Sequence, residues 1–388
     1  MPSQRAGPPT VTVVGEAIID LLPAGGAGAY VAMPGGSPYN VAVGLSRLGL
    51  NTALMARLGD TAFGRLLRDR AAAEGIDLSA APKPAQPATL AVVSLDSVAR
   101  ASYDFYLDGT ADWHWSEEEI DRMPARTELL HFGSLASWTP PGDELVAGLA
   151  RRLRDRSDVL VSYDPNIRPG LLAQGARARQ LVERNVGLAH LVKASADDIA
   201  WLYPEKRPTD VASHWLDLGA EVVILTDGPA GAGAWSRTYL PVHRPAHEVV
   251  LADTVGAGDS FTSALLGWLV RHGPHAPDDL ARCTGDDLSA ALDEAILAAE
   301  LTCQRPGADP PTAAELAVAS GLRRPAAPDL APQHRRARLV VWSRPTLRAR
   351  PKPARRVSRA QALIVRRPGA AARAVLWRGA GRRRSLRK

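Results

Sequence analysis

The sequence predicts a large α/β fold in which a mostly parallel β-sheet is covered by helices on both faces. Three observations carry this prediction. Apolar strand-like runs alternate with amphipathic helical segments along the chain. The runs are apolar throughout, which is typical of strands buried on both faces. The chain also has 388 residues, 46% of them hydrophobic, which is enough for a sizeable core.

The alternation places most elements in order. Strands are predicted near residues 11–19, 52–58, 129–134, 159–163, 188–193 and 221–226, and helices near 40–48, 62–74, 143–155, 173–185 and 209–218. One region breaks the rhythm, because residues 90–95 and 101–107 are strand-like with no helix between them. Such a pair is antiparallel, and together with residues 30–33 it predicts a small β lid, with strands near 29–34 and 89–115.

Polar residues follow two of the early elements. The apolar run from Val11 ends at Asp20, and the loop 34–40 (Pro-Gly-Gly-Ser-Pro-Tyr-Asn) opens a helix at Asn40. A carboxylate accepts hydrogen bonds from two vicinal hydroxyls, an amide donates and accepts, and glycines let a polyol approach the backbone. Taken one at a time, Asp20 could equally be a strand-end residue and Asn40 a helix N-cap.

A third polar loop follows the strand predicted near 159–163. It carries a carboxylate, an amide and a guanidinium at alternating positions, Asp164, Asn166 and Arg168. An Asx-Pro turn is the ordinary alternative. Three polar groups on one loop nevertheless favour a convergent site.

The most informative segment is the turn Gly256-Ala257-Gly258, followed by Asp259 and by apolar residues at helical spacing from Phe261. A small-residue turn that leads into a helix N-terminus is a ready anion site. An aspartate beside an anion needs a reason, and the economical one is that Asp259 takes a proton from a hydroxyl while the turn holds a phosphoryl group. The alternative is a tight turn followed by an aspartate N-cap.

The string 253–259, Asp-Thr-Val-Gly-Ala-Gly-Asp, resembles the second signature of the PfkB (ribokinase-like) family of sugar kinases, and residues 11–49 resemble the same family's first glycine-rich region. The resemblance implies a ribokinase-like three-layer fold. It implies Asp259 as general base and Gly256, Ala257 and Gly258 as the anion hole. It further implies sugar contacts at Asp20, Gly35, Gly36, Asn40, Asp164 and Arg168.

The resemblance also implies ATP and Mg²⁺ as cofactors, with a monovalent cation such as K⁺ as a further candidate. Ser195 and Asp198 stand where many relatives carry Asn-x-x-Glu, so Asp198 is the predicted metal and cofactor residue and Ser195 is left without a role. The remaining residues implied to contact the cofactor are Thr226, Gly228, Asp253, Thr254 and Gly307.

Within the family, the opening 15–20, the segment 111–113 and the loop 164–168 look most like fructokinases. The implied substrates are therefore fructose and ATP. A 2-keto-3-deoxygluconate kinase, a ribokinase and other sugar kinases of the family remain alternatives. So does a sugar- or nucleotide-binding regulator without catalysis. Dimerisation through the lid is left open.

The C-terminal region differs in composition from the rest. Residues 321–388 hold 21 of the 47 Lys and Arg and only one acidic residue, Asp329, which leaves 26 basic and 40 acidic residues elsewhere. We predict a flexible N-terminus over 1–10, a kinase domain over 11–320 and a disordered basic tail over 321–388. The ordinary interpretation is that the tail is a solvated or accidental extension. The alternative is that it binds nucleic acid or an anionic surface, which would give the protein a function of a third class.

Several classes of protein are disfavoured by the sequence. The chain has no 20-residue apolar span and no secretory h-region, which predicts a cytoplasmic protein that is neither secreted nor membrane-bound. It also lacks a P-loop, a GxSxG elbow and zinc motifs. Cys283 and Cys303 are expected to be reduced core residues in helices.

Overall fold

A computed structural model describes residues 10–24, 28–95, 101–156, 158–172, 175–273 and 276–323. The predicted flexible N-terminus lies outside the described residues except for Thr10, and the predicted basic tail lies outside them except for 321–323.

The described residues form an α/β fold, as predicted. The strands are β1 (Thr10–Val14), β2 (Ile18–Pro23), β3 (Tyr30–Gly35), β4 (Asn51–Met55), β5 (Leu90–Leu95), β6 (Ala101–Tyr106), β7 (Thr127–Gly133), β8 (Leu160–Asp164), β9 (Leu191–Ser195), β10 (Val222–Thr226), β11 (Ala232–Ser236) and β12 (Val242–Arg244). The helices are α1 (Ser37–Arg47), α2 (Ala62–Ala73), α3 (Glu117–Ile120), α4 (Asp143–Arg154), α5 (Ala176–Val186), α6 (Ala196–Leu202), α7 (Pro208–Asp217), α8 (Ala257–His272), α9 (Pro277–Ala281), α10 (Gly285–Cys303) and α11 (Ala313–Arg323).

The central sheet has eight strands in the order β12-β11-β10-β9-β8-β7-β1-β4. The six strands from β10 to β4 are parallel, and β11 and β12 add an antiparallel edge. In the parallel part, Thr226 is in register with Ser195, and Gly133 with Asp164. The carboxyl ends of these strands therefore meet at one edge, where open α/β sheets bind ligands.

Helices cover both faces of this sheet. On β10, Val222 and Ile224 belong to a core cluster shared with α1, α8 and α10. Val223 and Leu225 belong to a second cluster shared with α4, α5, α6 and α7. The two clusters follow from the period of two along a strand, and they explain why the strands are apolar throughout.

The smaller sheet has the strand order β3-β2-β5-β6. It contains the antiparallel pairing predicted for residues 90–95 and 101–107. The prediction of a single strand over 11–19 was wrong, since β1 ends at Val14 and β2 begins at Ile18 in the other sheet. An unbroken apolar run does not reveal this change of sheet. As a result, Asp20 lies in the smaller sheet and not at the edge of the central one.

Two helices begin earlier than predicted. The helix expected to open at Asn40 starts at Ser37, because Pro38 in its first turn has a backbone suited to a helix start. Asn40 is therefore inside α1 and is not its N-cap. The helix expected near Asp259 starts at Ala257, after Gly256 with a φ of 76°.

The two cysteines lie near opposite ends of α10. Cys283 is buried between α9 and α10 and not in a helix as expected, whereas Cys303 is the last residue of α10, and both are free thiols. Among the described helices, none has the length and apolar character needed to cross a bilayer.

Candidate active site

Two cavities meet at the carboxyl edge of the central sheet. The first, the polar cavity, has a volume of about 550 Å³ and is lined by both sheets and by α1 and α8; its polar residues include Glu16, Asp20, Asn40, Arg168 and Asp259. The second, the apolar cavity, has a volume of about 430 Å³ and includes Val249, Leu251, Phe261, Ile296 and Ala299. Thr254 and Gly258 line both cavities. The turn before α8 is thus the wall that the two cavities share.

This turn has the backbone that the sequence predicts for an anion site. A helix N-terminus leaves its first N–H groups without intrahelical acceptors, and the α8 dipole adds partial positive charge there. Gly256 has a φ of 76°, and a β-carbon at this position would lie 2.5 Å from Cβ of Ala308. Only glycine fits this position without displacing residue 308.

Asp259 is held by two side chains of α1. Ser37 Oγ donates to Asp259 Oδ1 at 2.6 Å, and Asn40 Nδ2 donates to Oδ2 at 2.8 Å. Sequence reasoning missed Ser37. Because Ser37 and Asn40 are three residues apart on one helix, they share a face, and a correct start for α1 would have revealed the pair. The two donors fix the orientation of a carboxylate that lines the polar cavity.

Asp20 lies on the wall contributed by the smaller sheet. A β-carbon at Gly35 would be 2.2 Å from Asp20 Oδ2, so this glycine makes room for the carboxylate. Burial raises the pKa of Asp20 to about 6; Arg168 opposes the rise and Asp259 adds to it. Gly36, with a φ of 99°, allows α1 to begin beside β2.

Arg168 is positioned by its own loop. Its Nη1 donates to Asn166 Oδ1 at 2.7 Å, and Asn166 Nδ2 in turn donates to Ser134 Oγ at 3.2 Å. All three residues line the polar cavity. Arg168 thus lines the same cavity as Asp20 and Asp259.

Asp164 is placed differently from the prediction. Its side chain is buried, its Oδ2 accepts from Lys193 Nζ at 2.9 Å, and its Oδ1 accepts from the Asn166 N–H at 3.0 Å. It is not among the residues that line either cavity. The structure therefore places Asp164 behind the cavity wall, where it shapes the Arg168 loop and binds Lys193.

Asp198 serves first as a helix cap. Its Oδ2 accepts from the backbone N–H and from Oγ of Ser195, and the Asp198 N–H donates back to Ser195 Oγ, which is a capping box at the start of α6. Its Oδ1 accepts from Ile167 N–H at 2.8 Å. The Ser-x-x-Asp spacing is the sequence sign of this box, and it gives Ser195 the role that the sequence reading left empty. Asp198 also lines the polar cavity, so its predicted metal role stays a prediction.

The residues predicted to contact the cofactor divide into two groups. Thr226, Gly228 and Thr254 line the apolar cavity, as does Ala257 of the predicted anion hole. Asp253 and Gly307 do not line it. Asp253 Oδ2 instead accepts from the Gly307 N–H at 2.8 Å, which ties the segment after α10 to the turn before α8.

Glu16 is a cavity residue to which the sequence reading gave no role of its own. Its Oε2 accepts from the Ala136 N–H at 3.1 Å, and its side chain is only 1% exposed. Burial raises the pKa of Glu16 to about 7, against the lowering effect of hydrogen bonds from Ser134 and Ala136. No motif rule marks an isolated glutamate between two apolar strands, so only the structure could find it.

Known proteins resemble this chain over most of its length. Residues 9–315 match the family model described as "pfkB family carbohydrate kinase". The chain is 34% identical to a fructokinase of Klebsiella pneumoniae over 281 residues, 71% of this chain and 89% of that protein. It is 32% identical to a fructokinase of Rhizobium leguminosarum bv. trifolii over 258 residues, 66% of this chain and 78% of that protein.

A solved structure of a fructokinase from Vibrio cholerae O395, in a form bound to fructose, ADP and calcium ion, resembles the fold. Its TM-score is 0.69 at 26% sequence identity, and the similarity covers 80% of this chain and 98% of that chain. With a family model that spans most of its length and a glycine-rich turn that joins two cavities beside an oriented aspartate, the chain belongs to the PfkB family of carbohydrate kinases.

Proposed function

We propose that this protein transfers the γ-phosphoryl group of ATP to a hydroxyl of a fructose-like sugar. One observation carries the proposal: the polar cavity and the apolar cavity share the turn 254–258 as a wall, and Asp259 follows that turn directly. A sugar in the first cavity and a nucleotide in the second would bring hydroxyl and phosphoryl group together there. Phosphoryl transfer depends mainly on such positioning and on charge stabilisation.

The predicted residues around the polar cavity and the turn have the following roles in this proposal. Asp259, oriented by Ser37 and Asn40, takes the hydroxyl proton. The Gly256–Gly258 backbone holds the transferred group at the α8 N-terminus. Asp20 accepts hydrogen bonds from the sugar hydroxyls, and Arg168 donates hydrogen bonds to them.

The apolar cavity suits a purine base, and Thr226 and Gly228, which also line it, suit the ribose or phosphates. Among the described residues there is no group of three His, Cys, Asp or Glu side chains that could hold a metal ion. We therefore propose that Mg²⁺ is held chiefly by nucleotide phosphates and water. Asp198 is the carboxylate that we propose to assist in holding the ion. The ion would neutralise charge on the phosphates.

The choice of fructose rests on the fructokinases that the chain resembles. ADP release should be measured with fructose, ribose, 2-keto-3-deoxygluconate, tagatose and adenosine. We expect the highest kcat/KM with fructose. A preference for another of these substrates would change the assignment within the family, and no turnover on any of them would favour a non-catalytic regulator.

Asp259→Asn tests the mechanism. We expect retained sugar binding and a fall in kcat of about 10² to 10⁴, the usual contribution of a general base. Asp278→Asn removes an exposed aspartate after α8 and is the matched control. Turnover of Asp259→Asn close to the control would remove Asp259 from the mechanism.

We propose that the protein is located in the cytoplasm, where ATP is available.

We further propose that it forms a homodimer through the smaller sheet. Strand register places Val31, Met33 and Tyr103 on the face that carries Asp20, and these side chains are 49%, 42% and 45% exposed. Exposed apolar side chains on one face of a sheet favour association. A monomeric mass in light scattering, unchanged by Val31→Asp, would contradict the dimer.

A further inference from the structure

A buried ammonium lies directly behind the anion turn. Lys193 is the third residue of β9, and its side chain is only 7% exposed. A methyl group on Gly258 would lie 3.3 Å from Lys193 Nζ, so the ammonium contacts the inner side of the glycine. Lys193 is not among the residues that line either cavity. Its charge therefore reaches the turn from the protein interior.

The surroundings keep this lysine charged. Burial disfavours the ammonium, but the nearby carboxylates of Asp164, then Asp198 and Asp259, outweigh burial and raise the pKa of Lys193. The buried His131 ring, whose pKa is lowered by burial and then by Lys193, adds no positive charge of its own. A protonated lysine thus stands between Asp164 and the turn at all pH values near neutrality.

We propose that Lys193 is a positioning residue for phosphoryl transfer, and the proposal rests on the proposed kinase function. Its ammonium adds positive potential behind the Gly256–Gly258 amides, on the side away from substrate. In a site that excludes water, a fixed charge acts more strongly than in solvent. The effect is greatest when negative charge develops on the transferred group, so it should act on kcat more than on ground-state binding.

The competing interpretation is that Lys193 only neutralises Asp164. A buried ion pair is a poor stabilising device by itself, because desolvation offsets much of the attraction. The two interpretations differ in which property a neutral replacement changes. A counter-ion affects stability, whereas a charge behind the anion turn affects turnover even when the fold is intact.

The first test is Lys193→Met in the full chain, assayed with ATP, Mg²⁺ and the best sugar of the panel. We expect kcat to fall about 10- to 100-fold, less than the cost of about 10²–10³ for removing a donor that touches the charge. Both KM values should change far less. Lys83→Met removes an exposed positive charge and should leave all three constants unchanged.

The double variant Asp164→Asn/Lys193→Met separates the two interpretations. It leaves no unpaired buried charge, and the new amide oxygen can still accept from the Asn166 N–H. We expect the melting temperature to recover towards wild type while kcat remains low. Recovery of kcat together with the melting temperature would overturn the proposal, as would near-normal kcat in a folded Lys193→Met.

A binding measurement adds a readout that a structural role would not change. ADP with aluminium fluoride mimics the transferred phosphoryl group, and a non-hydrolysable ATP analogue mimics the ground state. In Lys193→Met or the double variant, we expect the affinity for ADP with aluminium fluoride to fall about tenfold or more. The affinity for the non-hydrolysable ATP analogue should change little. Equal weakening of both would contradict the inference. A wild type without any sugar-kinase turnover would instead contradict the proposed function.

Discussion

The carboxylates of the polar cavity differ in the groups that surround them, and these groups indicate different roles. Asp259 accepts from two side chains and is oriented. Asp20 shares the cavity with Arg168, and burial raises its pKa to about 6. Glu16 is more deeply buried, with its pKa raised to about 7. These surroundings suit Asp259 to act as a base and Asp20 to bind hydroxyls. Glu16 is partly protonated near neutral pH.

Asp20→Asn should raise the sugar KM and leave the ATP KM nearly unchanged. The loss of hydrogen bonds to buried hydroxyls costs about 1–3 kcal/mol. In the wild type the sugar KM should also rise as the pH falls through about 6, since the carboxylate that accepts from the sugar becomes protonated. Steady-state kinetics from pH 5 to 8 would check both effects. Asp104→Asn, on β6 of the same sheet, is the control, and equal changes in both KM values would assign Asp20 to the fold.

Glu16→Gln should stabilise the folded protein at high pH. A carboxyl whose pKa is higher in the folded than in the unfolded protein stabilises the fold at low pH, and that contribution is lost as the pH rises from about 4.5 through about 7. The difference corresponds to about 3 kcal/mol. The gain of Glu16→Gln over wild type in denaturant unfolding should therefore grow between pH 5 and pH 8. The exposed control Glu117→Gln should show no such trend, and a pH-independent gain would contradict the burial argument.

At the scale of elements, two helices build the catalytic side of the site. α1 and α8 pack against each other, and the first turn of α1 supplies both donors to the aspartate in the first turn of α8. The orientation of Asp259, the proposed base, thus depends on where both helices begin. α6 contributes in a similar way, since its capping box fixes Asp198 and, through Ile167 N–H, the loop that carries Arg168.

Asp198→Asn distinguishes a cap from a metal residue. α10 has a capping box of the same kind, formed by Thr284 and Asp287, so Asp287→Asn is a matched control. Both substitutions should lower stability by about 1 kcal/mol, as lost caps do. Only Asp198→Asn should raise the Mg²⁺ concentration that gives half-maximal activity. Identical Mg²⁺ curves for the two variants would leave Asp198 with the capping role alone.

At the scale of the molecule, the site needs only residues of the family-matched region. The match ends at residue 315, and the residues that line both cavities all lie before residue 304. The strongly basic composition begins after that point. We therefore expect catalysis and the basic tail to be separable, which a truncated chain would test.

A chain that ends at Arg323 keeps α11 and lacks the basic segment. We expect its kcat and both KM values to remain those of the full chain, because no cavity residue is removed. If the tail binds nucleic acid, binding of DNA or RNA by the full chain should weaken steeply with salt and disappear on truncation. Loss of kinase activity on truncation would show that the tail takes part in the enzyme.

Local sequence patterns predicted the fold class and the glycine turn before Asp259, and the family resemblance supplied most of the other candidate site residues. Apolar runs at regular intervals dictate parallel strands between helices, and glycine turns before helices mark anion and ligand sites. The local pattern marked Asp259, and the resemblance to the PfkB family added Asp20, Asn40 and Arg168; all four line the polar cavity.

Which side chains meet depends on how distant elements pack. The pairing of Ser37 with Asp259 spans 222 residues, and no local pattern encodes it. The same holds for Lys193, which is one residue in an apolar strand until the sheet and α8 place it behind Gly258. Local sequence fixes backbone conformation and periodicity, whereas contacts between distant elements depend on packing that the whole chain must satisfy together.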